Sequence, residues 1–212
     1  TNEDKNKIKD LYNICFPGES EFCDLYYENV WDSNNTIICD EDGIVKAMLQ
    51  MLPVIFTNGN KSYSSYYIFA AGTHPDYRNK GFMKALIEYS FELNRDKDLC
   101  ILITAEHSLK DYYGKFGFCE MGCLYESKIY SFVSGVRYRQ VFDYSDVNDI
   151  YERNMKNCFH NKRSLKDWEN IFLCSKCNVY SSGDSYFVAE WYNDSLYICE
   201  HIGDNAVALV QQ

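Results

Sequence analysis

The sequence predicts an α/β fold of the α+β kind: a mixed, mostly antiparallel sheet with flanking helices, followed by a second, partial lobe of similar build. Three observations carry this expectation. Strand-like runs bounded by turn pairs succeed one another between residues 36 and 73, an amphipathic helical run and a short apolar strand follow at 82–105, and the order helix, helix, hairpin returns after residue 137. A strand, helix, strand unit needs a parallel crossover, so the sheet cannot be antiparallel throughout.

Taken in order, Ile8, Leu11, Tyr12 and Cys15 recur at helical spacing, and Pro17-Gly18 ends that run. Ser20 is placed to cap a second helix carrying Phe22, Leu25, Tyr26 and Val30 on one face. A strand over 36–40 meets the turn pair Asp42-Gly43, and Val45, Ala47, Leu49 and Met51 alternate through the next strand, 44–51. Asn58-Gly59 supplies a second turn before a strand over 63–73, completing a three-strand meander. The helix over 82–93 places Phe82, Ala85, Leu86, Tyr89 and Leu93 on one face, and a right-handed crossover lays a strand over 99–105 beside 68–73. A helix over 108–115 and a long strand over 118–130 complete the first lobe, and 131–135 reads as a joint. Beyond it come a strand over 137–142, helices over 146–158 and 165–173, and a hairpin of 186–192 with 196–200 around Asn193-Asp194-Ser195. The expected organisation is a first lobe of 1–130 and a second of 137–212, which stops at Gln212 soon after another element begins and is expected to be incomplete.

Composition narrows the function. Lys and Arg total 21 against 31 Asp and Glu, and a net charge of −10 argues against nucleic-acid partners. With 46% apolar residues the chain can bury a core, yet no apolar run reaches the roughly 18 residues of a membrane span. Thr1-Asn2-Glu3-Asp4-Lys5 is too polar for a signal peptide, so no membrane partner is expected and the cytoplasm is the default address. Ten cysteines are scattered among apolar residues in a chain too long to need staples, and they read as reduced, mostly buried thiols. Cys174 and Cys177 have CxxC spacing, but Cys158 and His160 stand in the wrong register for a zinc site, and the pair follows a helical run instead of opening one. No metal is expected.

The chemistry concentrates at 73–84, Thr73-His74-Pro75-Asp76-Tyr77-Arg78-Asn79-Lys80-Gly81-Phe82-Met83-Lys84, which joins a strand to the crossover helix. A helix start presents free backbone N–H groups and partial positive charge. Here Arg78, Lys80 and Lys84 flank it with no carboxylate from Tyr77 to Ala85, a local reversal of sign in an acidic chain. Gly81 lacks a Cβ, so an anion could approach its backbone closely. It is the sole glycine between Thr73 and Tyr113, which excludes both the Gly-x-Gly-x-x-Gly fingerprint and the Walker pattern. An ordinary basic turn would look the same on spacing alone.

Arg78-x-x-Gly81-x-Met83, after an apolar strand and before an amphipathic helix, resembles the pyrophosphate-binding motif of the GNAT superfamily of N-acetyltransferases, Arg/Gln-x-x-Gly-x-Gly/Ala. Met83 departs from the usual small residue, which matters little if only its backbone N–H is used. Tyr112-Tyr113-Gly114-Lys115-Phe116-Gly117-Phe118 resembles the family's Tyr-x-x-x-Gly-Phe, which ends the helix packed against the thioester. Two motifs in the expected order are more specific than either alone. The resemblance covers 1–130, with the family's first strand expected before Thr1. It extends more thinly, through Arg163, Trp168 and the hairpin ending at Glu200, to the second lobe of the branch similar to enhanced-intracellular-survival (Eis-type) acetyltransferases. No second Arg-x-x-Gly follows, so catalysis is assigned to the first lobe and a substrate-walling role to the second.

The resemblance implies a GNAT-like fold and acetyl-CoA as cosubstrate. The strand backbone at Ala71, Gly72 and Thr73 would hydrogen-bond the pantetheine arm, and Arg78, Asn79, Lys80, Gly81, Phe82, Met83 and Lys84 would form the pyrophosphate turn. Tyr113 would protonate the leaving thiolate, a role a phenol suits because its pKa is comparable to that of a thiol; with 19 tyrosines in the chain, packing alone is the competing reading. Glu106 or His107, at the end of the strand over 99–105, could take the proton of the amine. The acceptor would be the primary amine of a small cationic molecule: an aminoglycoside, a polyamine or a lysine-like group. Two other readings stay open: a non-catalytic acyl-CoA-binding or regulatory module, and a cysteine-based metal or redox protein resting on Cys174 and Cys177. Homo-oligomerisation is compatible with all three.

Overall fold

The structure, a computed structural model, describes residues 2–122, 139–175, 177–192 and 195–203. It divides into two units, 1–56 with 62–123 and 57–61 with 124–212. The fold class is the expected one, a mixed α/β arrangement rich in antiparallel pairing.

In the first unit, α1 (Asn2–Cys15) buries Ile8, Leu11 and Tyr12 as its spacing predicts. In α2 (Ser20–Asn29) the cap is Glu19, which makes no side-chain cap hydrogen bond, and Ser20 is the first helical residue. Its buried face is Cys23, Tyr26 and Tyr27, with Phe22, Leu25 and Val30 only half-buried. Strands β1 (Thr36–Glu41) and β2 (Ile44–Asn58) pair antiparallel around Asp42-Gly43, both at positive φ (56° and 76°), as a tight hairpin turn requires. β2 runs longer than predicted, and residues 45–51 are all buried, so the expected alternation is absent. The reason is that both faces of β2 are covered. Ala47, Leu49 and Met51 pack with Tyr66 and Ile68 of β3 (Lys61–Thr73) and with Leu86 and Ile87 of α3 (Phe82–Leu93). On the other face Gln50 accepts from the Tyr26 hydroxyl and donates to Tyr27 Oη at 3.0 Å, so a buried amide finds its partners.

Two corrections concern the crossover. α3 has the predicted limits but a different buried stripe: Leu86, Ile87 and Ser90 face inward, while Tyr89 and Leu93 are 49% and 48% exposed and Ala85 is exposed. Ser90 is accepted in the core because its hydroxyl donates to Ile87 O at 2.7 Å, so a polar residue occupies a position that hydrophobic periodicity assigns to the surface. β4 (Leu99–Ile101) is parallel to β3, as predicted, but it pairs with Ser65–Tyr67 and ends at Ile101; residues 102–105 leave the strand and β3 continues to Thr73 without it. The sheet order in this unit is β1-β2-β3-β4. The helix predicted over 108–115 is a 3₁₀ turn (His107–Leu109) followed by α4 (Lys110–Gly114). Residues 118–122 are not strand, and the rest of the long strand predicted to 130, with the joint at 131–135, lies outside the described residues.

The second unit holds an antiparallel sheet, β5 (Arg139–Val141), β7 (Asn178–Ser182), β8 (Ser185–Tyr192) and β9 (Ser195–Ile202), in that order. Helix α5 (Tyr144–Met155), capped by Asp143, starts and ends slightly earlier than the predicted 146–158, and α6 (Leu165–Cys174) opens on a capping box of Ser164 and Asp167. β6 (Phe159–Lys162) and β7 were not predicted, although Gly183-Asp184 after β7 is a hairpin signal. His160 on β6 is buried, and its Nε2 lies 3.2 Å from the Thr57 hydroxyl. The core gathers Val147, Ile150, Tyr151, Trp168, Val179, Tyr186 and Val188. Of the nine described cysteines Cys23 alone is buried; Cys119, Cys158 and Cys199 are exposed and the rest half-buried, contrary to expectation.

Candidate active site

The segment 74–82 is built to aim a helix start. The His74 N–H donates to Lys46 O at 2.9 Å, which ties the end of β3 to β2, and His74 Nδ1 accepts from the Asp76 N–H to open a 3₁₀ turn, Pro75–Tyr77. Asn79 and Gly81 both take left-handed backbone, at φ 62° and 86°. Glycine adopts that backbone freely and asparagine more readily than most residues, so the reversal into α3 is written locally in the sequence. Nothing lies within 4 Å of where a Cβ on Gly81 would stand, so the helix is entered beside open space. The helix has no side-chain cap and no acidic residue in its first turn. By helix geometry the first-turn N–H groups, those of Phe82, Met83 and Lys84, have no acceptor within the helix. An anion placed there meets donors and a favourable dipole, and the chemistry of these residues suits a diphosphate.

The cations around the turn differ in how they are held. Arg78 is exposed, and its Nε donates to Thr73 O at 3.3 Å, which folds the guanidinium back over the end of β3. Lys80 donates to Asp76 O and lies 4.9 Å from the Tyr77 ring centre, and Lys84 stands 3.8 Å from Glu88 one turn on. Sequence reasoning missed Lys46. It is buried on β2, paired with Glu41, and its ammonium lies 4.9 Å and 5.6 Å from the ring centres of Tyr77 and Phe82. A lone cation between Val45 and Ala47 in an apolar strand was the available signal.

Among the three strand residues, Ala71 and Thr73 are half-buried and Gly72 is buried. Gly72 has its own packing reason: a Cβ there would lie 3.0 Å from Cys15 Sγ and 3.1 Å from Cys15 Cβ, so only glycine lets α1 approach β3. Because β4 ends its pairing at Tyr67–Ile101, the edge of β3 at 71–73 is not covered by β4.

Tyr113 is half-buried on α4, with its ring centre 5.3 Å from that of Tyr112 and 5.8 Å from Phe118. Ala71, Phe82, Met83, Tyr112 and Tyr113 all pack against the same core cluster, so the structure gathers both motifs on one core. Burial raises the Tyr113 phenol above its ordinary value, with smaller contributions from the neighbouring phenols Tyr112 and Tyr67. Tyr67 is half-buried at the last β3 position paired with β4, and burial raises its phenol too. It was not singled out in the sequence, where nothing distinguishes it from other strand tyrosines. Glu106 is exposed and accepts from the Ser108 hydroxyl at 3.1 Å, and His107 begins the 3₁₀ turn. Cys177, which shares CxxC spacing with Cys174, has its Sγ 3.6 Å from Cys199 Sγ. Among the described residues no group of three or more His, Cys, Asp and Glu could hold a metal, and no helix is long and apolar enough to cross a membrane.

Residues 1–121 match the family model of the acetyltransferase (GNAT) domain. The chain belongs to the GNAT acetyltransferase family. Its fold is similar to that of a GCN5-related N-acetyltransferase from Anabaena variabilis, with TM-score 0.71 and 18% identity, covering 97% of this chain and 58% of that one. It is also similar to a probable N-acyltransferase from Enterococcus faecalis, with TM-score 0.71 and 15% identity over 98% of this chain and 58% of that one. Eis1 from Mycobacterium abscessus gives TM-score 0.67 and 14% identity over 99% and 60% respectively. At these identities the likeness is one of fold, and the chain spans less than two thirds of each of these GNAT structures. No curated protein sequence matches it significantly.

Proposed function

We propose that this GNAT protein is an acetyl-CoA-dependent N-acetyltransferase that acts on the primary amine of a small cationic acceptor, and that it belongs to the two-lobe, Eis-like branch. The observation that carries the reading is the uncapped, acid-free start of α3, reached through the left-handed Asn79 and Gly81 beside open space. The fold likeness to Eis1 over nearly the whole chain supports the branch. Within this reading 1–130 is the catalytic domain and 137–212 a second acetyltransferase-like lobe.

Acetyl-CoA supplies a thioester carbonyl open to attack by an amine, with a thiol as leaving group. The backbone N–H groups of Phe82, Met83 and Lys84, with Arg78 and Lys80, hold its phosphates by charge-assisted hydrogen bonds. The open edge of β3 at Ala71, Gly72 and Thr73 orients the pantetheine arm through strand-like hydrogen bonds. Tyr113, kept protonated by burial, gives its hydroxyl proton to the departing sulfur. Glu106, exposed at the end of the β4 segment, takes the proton of the amine directly or through water. Net charge of −10 favours encounter with a cationic acceptor.

Calorimetry with acetyl-CoA tests the site. Gly81→Asp adds a negative charge and a side chain at a left-handed position, and binding should fall below detection; unchanged affinity would remove the basis for the reading. Amine-dependent CoA release, followed with a thiol reagent and corrected for the ten cysteines, tests the reaction. The exposure of Glu106 favours a second reading, a GNAT module that binds acyl-CoA without turnover. Tight binding with no CoA release across a panel of amines would establish it.

A further inference from the structure

We propose that Cys177 and Cys199 form a peroxide-responsive, reversible disulfide, a modification site in the second unit distinct from the proposed acetyl-transfer chemistry. Their sulfurs already stand 3.6 Å apart, and a disulfide needs them to close to about 2.05 Å. The approach is unexpected from topology, because Cys177 leads into β7 and Cys199 lies on β9, with β8 between them. A bulge explains it. Val188 pairs with Glu200 and Ala189 with Ile198, which leaves Cys199 as the extra residue of β9, and a bulge re-aims the side chain it carries. Cys177 packs at the edge of the unit's core but remains half-buried, and Cys199 is exposed, so a small oxidant can reach the pair.

Partial withdrawal from water, the neighbouring Cys177 thiol, and the Glu190 and Glu200 carboxylates all push Cys199 above the ordinary thiol value. Either sulfur can meet the oxidant while the other resolves it. When Cys177 meets hydrogen peroxide, its thiol loses its proton and its sulfur takes one peroxide oxygen, giving a sulfenic acid and one water. The Cys199 sulfur then attacks Cys177, the S–S bond forms, and the sulfenic oxygen leaves with the Cys199 proton as a second water. Two thiols and one peroxide give one disulfide and two waters, with two electrons passing from sulfur to oxygen. A dithiol reductant reverses the change.

The full chain, titrated with hydrogen peroxide, alkylated and digested without reduction, is mapped by mass spectrometry. The expected product is a linked peptide pair joining Cys177 to Cys199, lighter by two hydrogens, formed while the other eight cysteines are still alkylated. Since the bond closes a segment of 22 residues, the oxidised protein should also melt roughly 5 °C or more higher, reversibly on reduction. In Cys199→Ser, dimedone should trap the sulfenic acid at Cys177. The proposal is overturned if both thiols stay alkylatable after other cysteines have oxidised, if either links to a different cysteine, or if dimedone labels only other positions. The wild-type map decides the matter even where a serine variant folds poorly.

Discussion

Arg78 and Arg163 show two opposite uses of the same side chain. Arg78 lies exposed at the start of a turn with one hydrogen bond to Thr73 O, next to a helix start that has no side-chain cap. Arg163 is 16% exposed and held inside the fold: it forms a two-point pair with Glu200 at 2.8 Å and 2.6 Å, and its guanidinium lies 4.5 Å from the ring centres of both Tyr151 and Trp168. The Tyr186 hydroxyl donates to the same carboxylate at 2.6 Å. Local charge alone therefore does not mark a binding site; a cation whose partners are already inside the fold holds the fold, and one beside unmatched donors is available to a ligand.

The contrast can be broken most forcefully at Glu200. Glu200→Ala strands a buried guanidinium, and the second unit should lose about 3–5 kcal/mol in urea unfolding. A small loss would mean that Arg163 is as free as Arg78. The pH dependence follows the same pair. Burial alone would raise the Glu200 carboxyl, but the Arg163 hydrogen bonds and charge and the Tyr186 hydroxyl outweigh it and hold the group below its ordinary 4.5. Its stabilisation is therefore present above that ordinary value and is lost as pH falls through the depressed one. The gap in Tm between wild type and Glu200→Ala should close over that acid range.

The next effect belongs to the first unit. Tyr113→Phe keeps the packed ring and removes the hydroxyl, so kcat should fall about 100-fold with little change in acetyl-CoA affinity. Tyr112→Phe, one residue away and turned about 100° on the helix, should leave kcat near the parental rate. If the two variants exchange these behaviours, the donor is Tyr112. Smaller still, Arg78→Ala should weaken acetyl-CoA about tenfold, about 1.4 kcal/mol, while urea stability moves by no more than about 0.5 kcal/mol. A large stability loss there would place Arg78 with Arg163.

What the sequence revealed was what is local. Asp42-Gly43, the Asn79 and Gly81 reversal and the limits of α3 follow from residues near one another, and each was readable. The stripe of α3 was misread because Ser90 hides its polarity in a bond to Ile87 O, and the burial of β2 was misread because it depends on helices from two other segments. The pyrophosphate-like turn was legible by motif, whereas Lys46 beneath Tyr77 and Phe82 required the pairing of distant strands to appear. The Cys177 and Cys199 approach needed a bulge that no periodicity announces.

Ala70 adopts φ 50° inside β3, a left-handed conformation uncommon for a residue with a Cβ. Up to that point Tyr66 and Ile68 face the α3 core while Phe69 meets Tyr12, Phe22 and Tyr26. After it the phase is reversed: Ala71 packs toward the α3 core, and Gly72 meets Cys15 and Met48. In an extended strand the amides alternate direction with the same period as the side chains. A half-cycle slip at one small residue thus also exchanges which N–H and C=O groups of 71–73 point outward from the sheet edge. The strand ends as a differently clocked strand from the one that began, and a bulkier residue at 70, unable to hold that φ cheaply, would reset the edge to its original phase.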